Sequence, residues 1–213
     1  MRLGLFGGTF NPIHVGHLRA AEEVREAVAL DRVIFMPSHL PPHKELSDNV
    51  EGYRRLEIVK MAVRTNPFFD VSGYEVESRG NSYSIRTIEH IRDAYGCIPH
   101  FILGQDAFNE ISTWYKAQSL FDLTHFVVMS RPDAPKLPLD AVLGKSAARF
   151  QETARGFVSD TGHEIIFVEV TAYAVSSSNI REAIKQGRSI RYLVPGEVED
   201  YIRNEKIYIQ TKV

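Results

Sequence analysis

The sequence predicts an α/β fold: a Rossmann-like, doubly wound and mostly parallel sheet with helices on both faces. Three observations predict it. Short apolar, β-rich runs alternate with helical patterns along most of the 213 residues, and such alternation builds right-handed βαβ units. The composition, 44% hydrophobic and 24% charged, suits one folded domain with a substantial core. Each polar or glycine-rich motif also falls just after a predicted strand, where ligands sit in sheets of this kind.

The first strand is RLGLF (2–6). Leu18, Ala21, Val24 and Val28 then recur at helical spacing, with Glu22, Glu23, Arg25 and Glu26 on the other side. RVIFMP (32–37) is the next strand, stopped by Pro37, and a polar, proline-rich loop leads to a helix carrying Leu56, Val59, Met61 and Val63. FFDVSGYEVES (68–78) reads as strand, and SIRTIEHIRDAY (84–95) as a helix with Ile85, Ile88 and Ile91 on one face. IPHFILG (98–104), THFVVMSRP (124–132) and EIIFVEV (164–170) complete the strands, RPDAPKLPLD (131–140) reading as a surface excursion. Helices at about 177–186 and 195–204 close the chain, the first stopped by Gly187. One domain spanning 1–213, with a small C-terminal helical part at about 176–213, is expected.

The bulk properties exclude several classes. A net charge of -2 gives no overall basic field, so nucleic-acid wrapping is not expected. Cys97 is the single cysteine, which rules out an internal disulfide and a cysteine metal cage, and it is expected to be inert in an apolar strand. No apolar run approaches the roughly 20 residues that span a bilayer, and the start of the chain lacks the flanks of a signal peptide. A cytoplasmic protein without a membrane partner is the expectation.

GLFGGTFNPIHVGH (4–17) carries the first chemistry. Glycine reaches positive φ cheaply and lets the backbone approach a ligand. A strand, a glycine turn and a helix start together aim free N–H groups at an anion; a ligand-free β-to-α turn is the plain alternative. His14 and His17, three apart at a helix start, share one face. Imidazole pairs also bind zinc, but neither the glutamate of a zincin nor a third ligand stands nearby, so phosphate contact is favoured. LGKS (143–146) is no Walker A loop, because Leu139 occupies the position of its first glycine.

GGTFNPIHVGHL resembles the signature of the nucleotidyltransferases with an (H/T)xGH motif, specifically the bacterial nicotinate mononucleotide adenylyltransferases. PSHLPPHK (37–44), NSYSIRTI (81–88), LGQDAFNEISTWY (103–115), VSSSNIRE (175–182) and YLVPGEVEDYI (192–202) continue the likeness in the family's order, and only about 133–163 is unmatched. The resemblance implies adenylyl transfer from ATP, with Mg²⁺ on its phosphates, to nicotinate mononucleotide, giving nicotinate adenine dinucleotide and pyrophosphate in NAD biosynthesis.

It also implies roles. N–H groups around Gly7, Gly8, Thr9 and Phe10 would hold phosphate, and His14 and His17 would contact the ATP phosphates, His17 at the α-phosphoryl group. Lys44, on a loop stiffened by two prolines, would clamp phosphate, as would Arg181 with its always-charged planar fork. Ser176 and Ser178 would bind nucleotide at a helix start, although helix capping alone explains serines there. Gly104 and Asp106 belong to the ribose and base segment; Asp106 would accept from a ribose hydroxyl or cap the next helix. Trp114 would stack on the cationic pyridine ring, with Tyr83 and Ser84 near the nicotinate carboxylate.

This sequence departs from the family's pattern in places. Asn11 stands where aspartate is common, Ser84 and Ser178 where threonine is usual, and PSH (37–39) replaces a frequent Pro-Asn, with His39 a substitute donor. The same chemistry on nicotinamide mononucleotide or phosphopantetheine is the close alternative. A non-catalytic regulator would have lost His14, His17, Lys44 or Arg181, and all four stand. A class I synthetase fragment would need a much longer chain. A homo-oligomer is compatible with the sequence.

Overall fold

The strands β1 (Leu3–Gly8), β2 (Arg32–Pro37), β3 (Phe69–Val71), β4 (His100–Gly104), β5 (His125–Ser130), β6 (Phe150–Thr153), β7 (Gly156–Ser159) and β8 (Glu164–Glu169) lie side by side in one sheet, in the order β3-β2-β1-β4-β5-β8-β7-β6. They belong to a computed structural model in which residues 1–39, 50–78, 82–130 and 136–209 are described. The six strands from β3 to β8 pair parallel, while β7 and β6 extend the edge as an antiparallel hairpin.

Burial on both faces explains why these strands read as nearly continuous apolar runs. Leu3, Leu5, Ile34, Met36, Phe101 and Leu103 enter one core cluster. Their neighbours Phe6, Val33, Phe35 and Ile102 enter the other, because successive side chains of a strand point to opposite faces. Helices α1 (Val15–Val28), α2 (Gly52–Val63), α8 (Ser177–Lys185) and α9 (Gly196–Asn204) cover the second cluster. The first is covered by α4 (Ser84–Tyr95) with the short α5 (Gln105–Asn109), α6 (Ala117–Leu120) and α7 (Leu139–Leu143). Helix α3 (Tyr74–Glu77) follows β3.

Four readings change. The strand expected over 68–78 is only Phe69–Val71, and the chain then turns into α3. In α2 the buried face is set by Leu56, Ile58, Val59, Ala62 and Val63 with Arg55 among them, while Met61 is half-buried. Cys97 sits in the loop between α4 and β4, as a half-buried free thiol. The hairpin β6–β7 lies within 133–163, the segment outside the family likeness, where no strand was expected, since strands of four residues hold too few positions to show a period. The LGKS decoy straddles the end of α7 at Leu143 and the 3₁₀ helix Gly144–Arg149.

Candidate active site

The chain runs from β1 outward to β2 and β3, then returns to lay β4 against the other side of β1. That reversal opens a crevice at the carboxyl ends of β1 and β4. Two cavities fill it, and Phe6 and Gly104, one residue from each strand, line both. One, of about 520 Å³, carries His14, His17, Asp106 and Ser176. The other, of about 360 Å³, carries Gly7, Gly8, Thr9, Tyr83, Ser84 and Trp114. We refer to them as the histidine lobe and the tryptophan lobe.

The histidine lobe is built by the start of α1. His14 is the N-cap of that helix, and its ring stacks on His17 with centroids 3.7 Å apart. The His14 backbone N–H donates to His17 Nδ1 at 3.3 Å. An Nδ1 that accepts carries no proton, so the neutral His17 is the Nε2–H tautomer, with a donor on its outer nitrogen. Phe10 meets the His17 ring edge-on at 5.3 Å, and Phe6 at 6.4 Å. The imidazole therefore has a fixed direction.

The glycine turn differs from expectation. Gly7 and Gly8 are the last residues of β1 and keep ordinary φ; the left-handed residue is Phe10, at φ 46°. Gly8 is small for another reason: a Cβ there would meet the Phe10 ring at 2.9 Å. Gly16 is a close approach too, because its Cβ would lie 2.9 Å from Val175 Cγ1 and 3.1 Å from His14 Nδ1.

Helix α8 is fastened to this turn. Ser176 is its N-cap and accepts the Asn179 N–H at 3.2 Å, while the Ser177 hydroxyl donates to the Pro12 carbonyl at 2.8 Å. Arg181 Nη1 donates to the Asn11 carbonyl at 2.9 Å. Ser176 and Ser177 line the histidine lobe, whereas Ser178 and Arg181 do not. Ser178 is exposed and lies 3.5 Å from Arg181 Nη2. The Asn11 amide is used internally, its Oδ1 accepting from the Tyr208 hydroxyl at 2.7 Å. Asp106 is exposed in the first turn of α5, and the cap of that helix is Gly104.

In the tryptophan lobe, Trp114 ends the 3₁₀ turn Ile111–Thr113, half-buried and edge-on to Phe101 at 6.1 Å. Tyr83 caps α4, Ser84 begins it, and Tyr115 lies 4.7 Å from the Tyr83 ring. Helices α1, α4 and α8 all start at the crevice, and none carries an acidic residue in its first turn. Their positive ends are left for a ligand.

Sequence reasoning missed several lining residues. Ser38, whose buried hydroxyl has no hydrogen-bond partner among the described residues, lines the tryptophan lobe; His39 instead turns its Nδ1 toward Gly52. Glu75 is buried there too, and burial pushes its carboxyl above the usual range despite hydroxyl donors and the Arg55 charge. A glutamate in a segment that reads as strand gives no such signal. Lys44 lies outside the described residues.

Among the described residues, one set has metal-ligating chemistry: His100, His125 and Glu164, within 4.8 Å of one another. It lies at the amino ends of β4, β5 and β8, across the sheet from the crevice. The two imidazoles stack at 4.6 Å with planes 20° apart, and Arg2 reaches His100 Nε2 at 3.4 Å. Near-parallel rings do not aim their lone pairs at one point, and the guanidinium opposes a cation. Burial, then His125 and Arg2, hold the His100 pKa down to about 4.

Residues 5–183 match the cytidylyltransferase-like family model. The chain is 42% identical over 212 residues to a probable nicotinate-nucleotide adenylyltransferase of Geotalea daltonii, covering 98% of each chain. A protein of the same description from Syntrophotalea carbinolica is also 42% identical, with 98% of this chain and 97% of that one covered. Among solved structures, a putative nicotinate-nucleotide adenylyltransferase from Vibrio parahaemolyticus superposes with a TM-score of 0.67 at 18% identity, covering 99% and 98% of the two chains. A Plasmodium falciparum nicotinic acid mononucleotide adenylyltransferase complexed with NaAD gives 0.71 at 14% identity, covering 97% of each. These likenesses support the fold.

Proposed function

The chain belongs to the cytidylyltransferase-like family and, within it, to the nicotinate-nucleotide adenylyltransferases, and on that premise we propose how its two-lobed crevice works. The enzyme transfers the adenylyl group of ATP to nicotinate mononucleotide, a step of NAD biosynthesis. ATP occupies the histidine lobe and nicotinate mononucleotide the tryptophan lobe, so the reacting phosphates meet over Phe6 and Gly104. The observation that carries this reading is that the two lobes share those residues while differing in chemistry.

A phosphate oxygen of the mononucleotide attacks the α-phosphorus of ATP in line. A new P–O bond forms, the bond from the α-phosphorus to the bridging oxygen breaks, and pyrophosphate leaves with that electron pair. The nucleophile is already an anion, so neither a general base nor a covalent enzyme intermediate is needed. What the protein supplies is alignment and charge stabilisation. His17 Nε2–H donates to the α-phosphoryl oxygens, and His14, behind it, contacts the phosphates and sets its direction. The Gly7–Phe10 turn and the starts of α1 and α8 offer N–H groups to the phosphates, and Ser176 and Ser178 frame α8. Arg181 and Lys44 add positive charge, and Asp106 accepts from the ribose beside Gly104. Mg²⁺ carried in on the triphosphate would neutralise part of its charge; among its described residues this lobe presents donors rather than a carboxylate cage to hold the ion.

Trp114 stacks on the cationic pyridine ring. Tyr83 and Ser84, at the uncompensated positive end of α4, favour a carboxylate over an amide. The test is pyrophosphate release with ATP, Mg²⁺ and either nicotinate or nicotinamide mononucleotide. Faster turnover of the acid is expected. Equal turnover would defeat the acid preference, and turnover of neither would defeat the reaction.

A further inference from the structure

Arg55 is fully buried, which is costly for a charge unless its donors are satisfied. It rises from α2 among Leu56, Ile58 and Val59. Its Nη1 donates to the Thr9 carbonyl at 2.6 Å, its Nη2 to the His39 carbonyl at 3.1 Å, and its Nε to the Val50 carbonyl at 3.3 Å. One guanidinium thus holds the glycine turn, the start of the loop after β2, and the approach to α2. Lysine could not replace it, because a single ammonium on a flexible stem lacks the planar fork.

The chain of contacts continues into the other lobe. The His39 N–H donates to Ser82 Oγ at 3.0 Å, the Ser82 hydroxyl reaches Glu75, and the Thr87 hydroxyl donates to Glu75 Oε1 at 2.6 Å. Ser82 immediately precedes Tyr83 and Ser84, and Thr87 lies one turn into α4. Polar groups buried at both ends of such a chain are held only while every member keeps its partner.

We propose that Arg55 and Glu75 are positioning residues, joined through His39 and Ser82, that fix the glycine turn against the start of α4 and so set the distance between the two reacting phosphates. The proposal rests on the adenylyl-transfer reading. Arg55 acts through the turn and the loop, and Glu75 through Ser82 and the first turn of α4. Loss of either changes alignment at a site that neither reacts in.

The test compares wild type with Arg55→Lys, Arg55→Met, Glu75→Gln and the Arg55→Lys/Glu75→Gln pair, each checked by circular dichroism and assayed for pyrophosphate release. Both Arg55 variants are expected to lose about 10- to 100-fold in kcat, because small misplacement of reacting groups costs that much. Glu75→Gln is expected to raise KM for nicotinate mononucleotide about 10-fold and to leave KM for ATP unchanged. The pair should lose less than the product of the single losses, as members of one network do. Wild-type kcat in folded Arg55→Lys, equal change of both KM values in Glu75→Gln, or independent losses in the pair would each overturn the proposal. If neither Arg55 variant folds, Thr87→Val decides. It should show the same acceptor-selective KM rise, and unchanged kinetics would overturn the network. Absent turnover in wild type would count against the reaction itself, whereas active wild type with unaffected variants counts against the network alone.

Discussion

The ring of His17 is held from three sides, by the stacked His14, by Phe10 and Phe6, and by the His14 N–H on its Nδ1. A donor so fixed spends no reorganisation when charge develops on a phosphoryl oxygen. His17→Ala should therefore lower kcat about 10²- to 10³-fold, with KM for nicotinate mononucleotide changed only slightly; steady-state kinetics check it, and full activity would remove His17 from the reaction. Trp114 is the counterpart in the other lobe. Trp114→Ala should weaken the acceptor about 10-fold, or about 1.4 kcal/mol, while leaving ATP binding near wild type. A titration in which ATP weakens more would take Trp114 out of the pyridine pocket.

At the scale of elements, the start of α1 and the start of α8 are one unit. Gly16 lets them touch, since a Cβ there would strike Val175 at 2.9 Å and His14 at 3.1 Å. Gly16→Ala should shift the histidine pair and cost activity about 10-fold or more, with little loss of helix. Ser176→Ala removes the cap of α8 and should lower stability by about 1 kcal/mol, measured by urea unfolding. How much of this was legible differs by element. The strands β1, β2, β4, β5 and β8 stand within a residue or two of the expected ends, because burial on both faces leaves long apolar runs and Pro37 marks a stop. The histidines and glycines of the turn declared themselves through residue type. Arg55 and Glu75 did not, because an isolated charged residue in a helical or strand-like pattern reads as a solvated one until its carbonyl and hydroxyl partners are assembled. The positive φ at Phe10 was hidden too, since the glycines beside it drew the expectation.

Across the whole molecule, the two ends of the strands do different things: the carboxyl ends gather the lobes, and the amino ends hold a buried His100 stacked on a half-buried His125. The His100 pKa of about 4 lies below its ordinary 6.5, so the unfolded chain binds a proton that the folded chain refuses. Stability from this group is complete above pH 6.5 and falls as pH drops toward about 4, a loss of about 3 kcal/mol. His125, also lowered by burial, adds in the same direction, while Glu75, raised by burial, acts in the opposite one. Urea unfolding of wild type and His100→Gln across that range isolates the His100 share: the variant should have the shallower profile, and parallel profiles would contradict the assignment. No helix among the described residues is long and apolar enough to cross a membrane.

On the proposed reading, one crevice holds both halves of a dinucleotide on opposite sides of Phe6 and Gly104. The most direct measurement is a crystal structure grown with nicotinate adenine dinucleotide. The account predicts the pyridine against Trp114, the adenylyl phosphate within reach of His17 Nε2, and the linkage crossing above β1 and β4. Both rings in a single lobe, or a dinucleotide bound away from the stacked histidines, would contradict it.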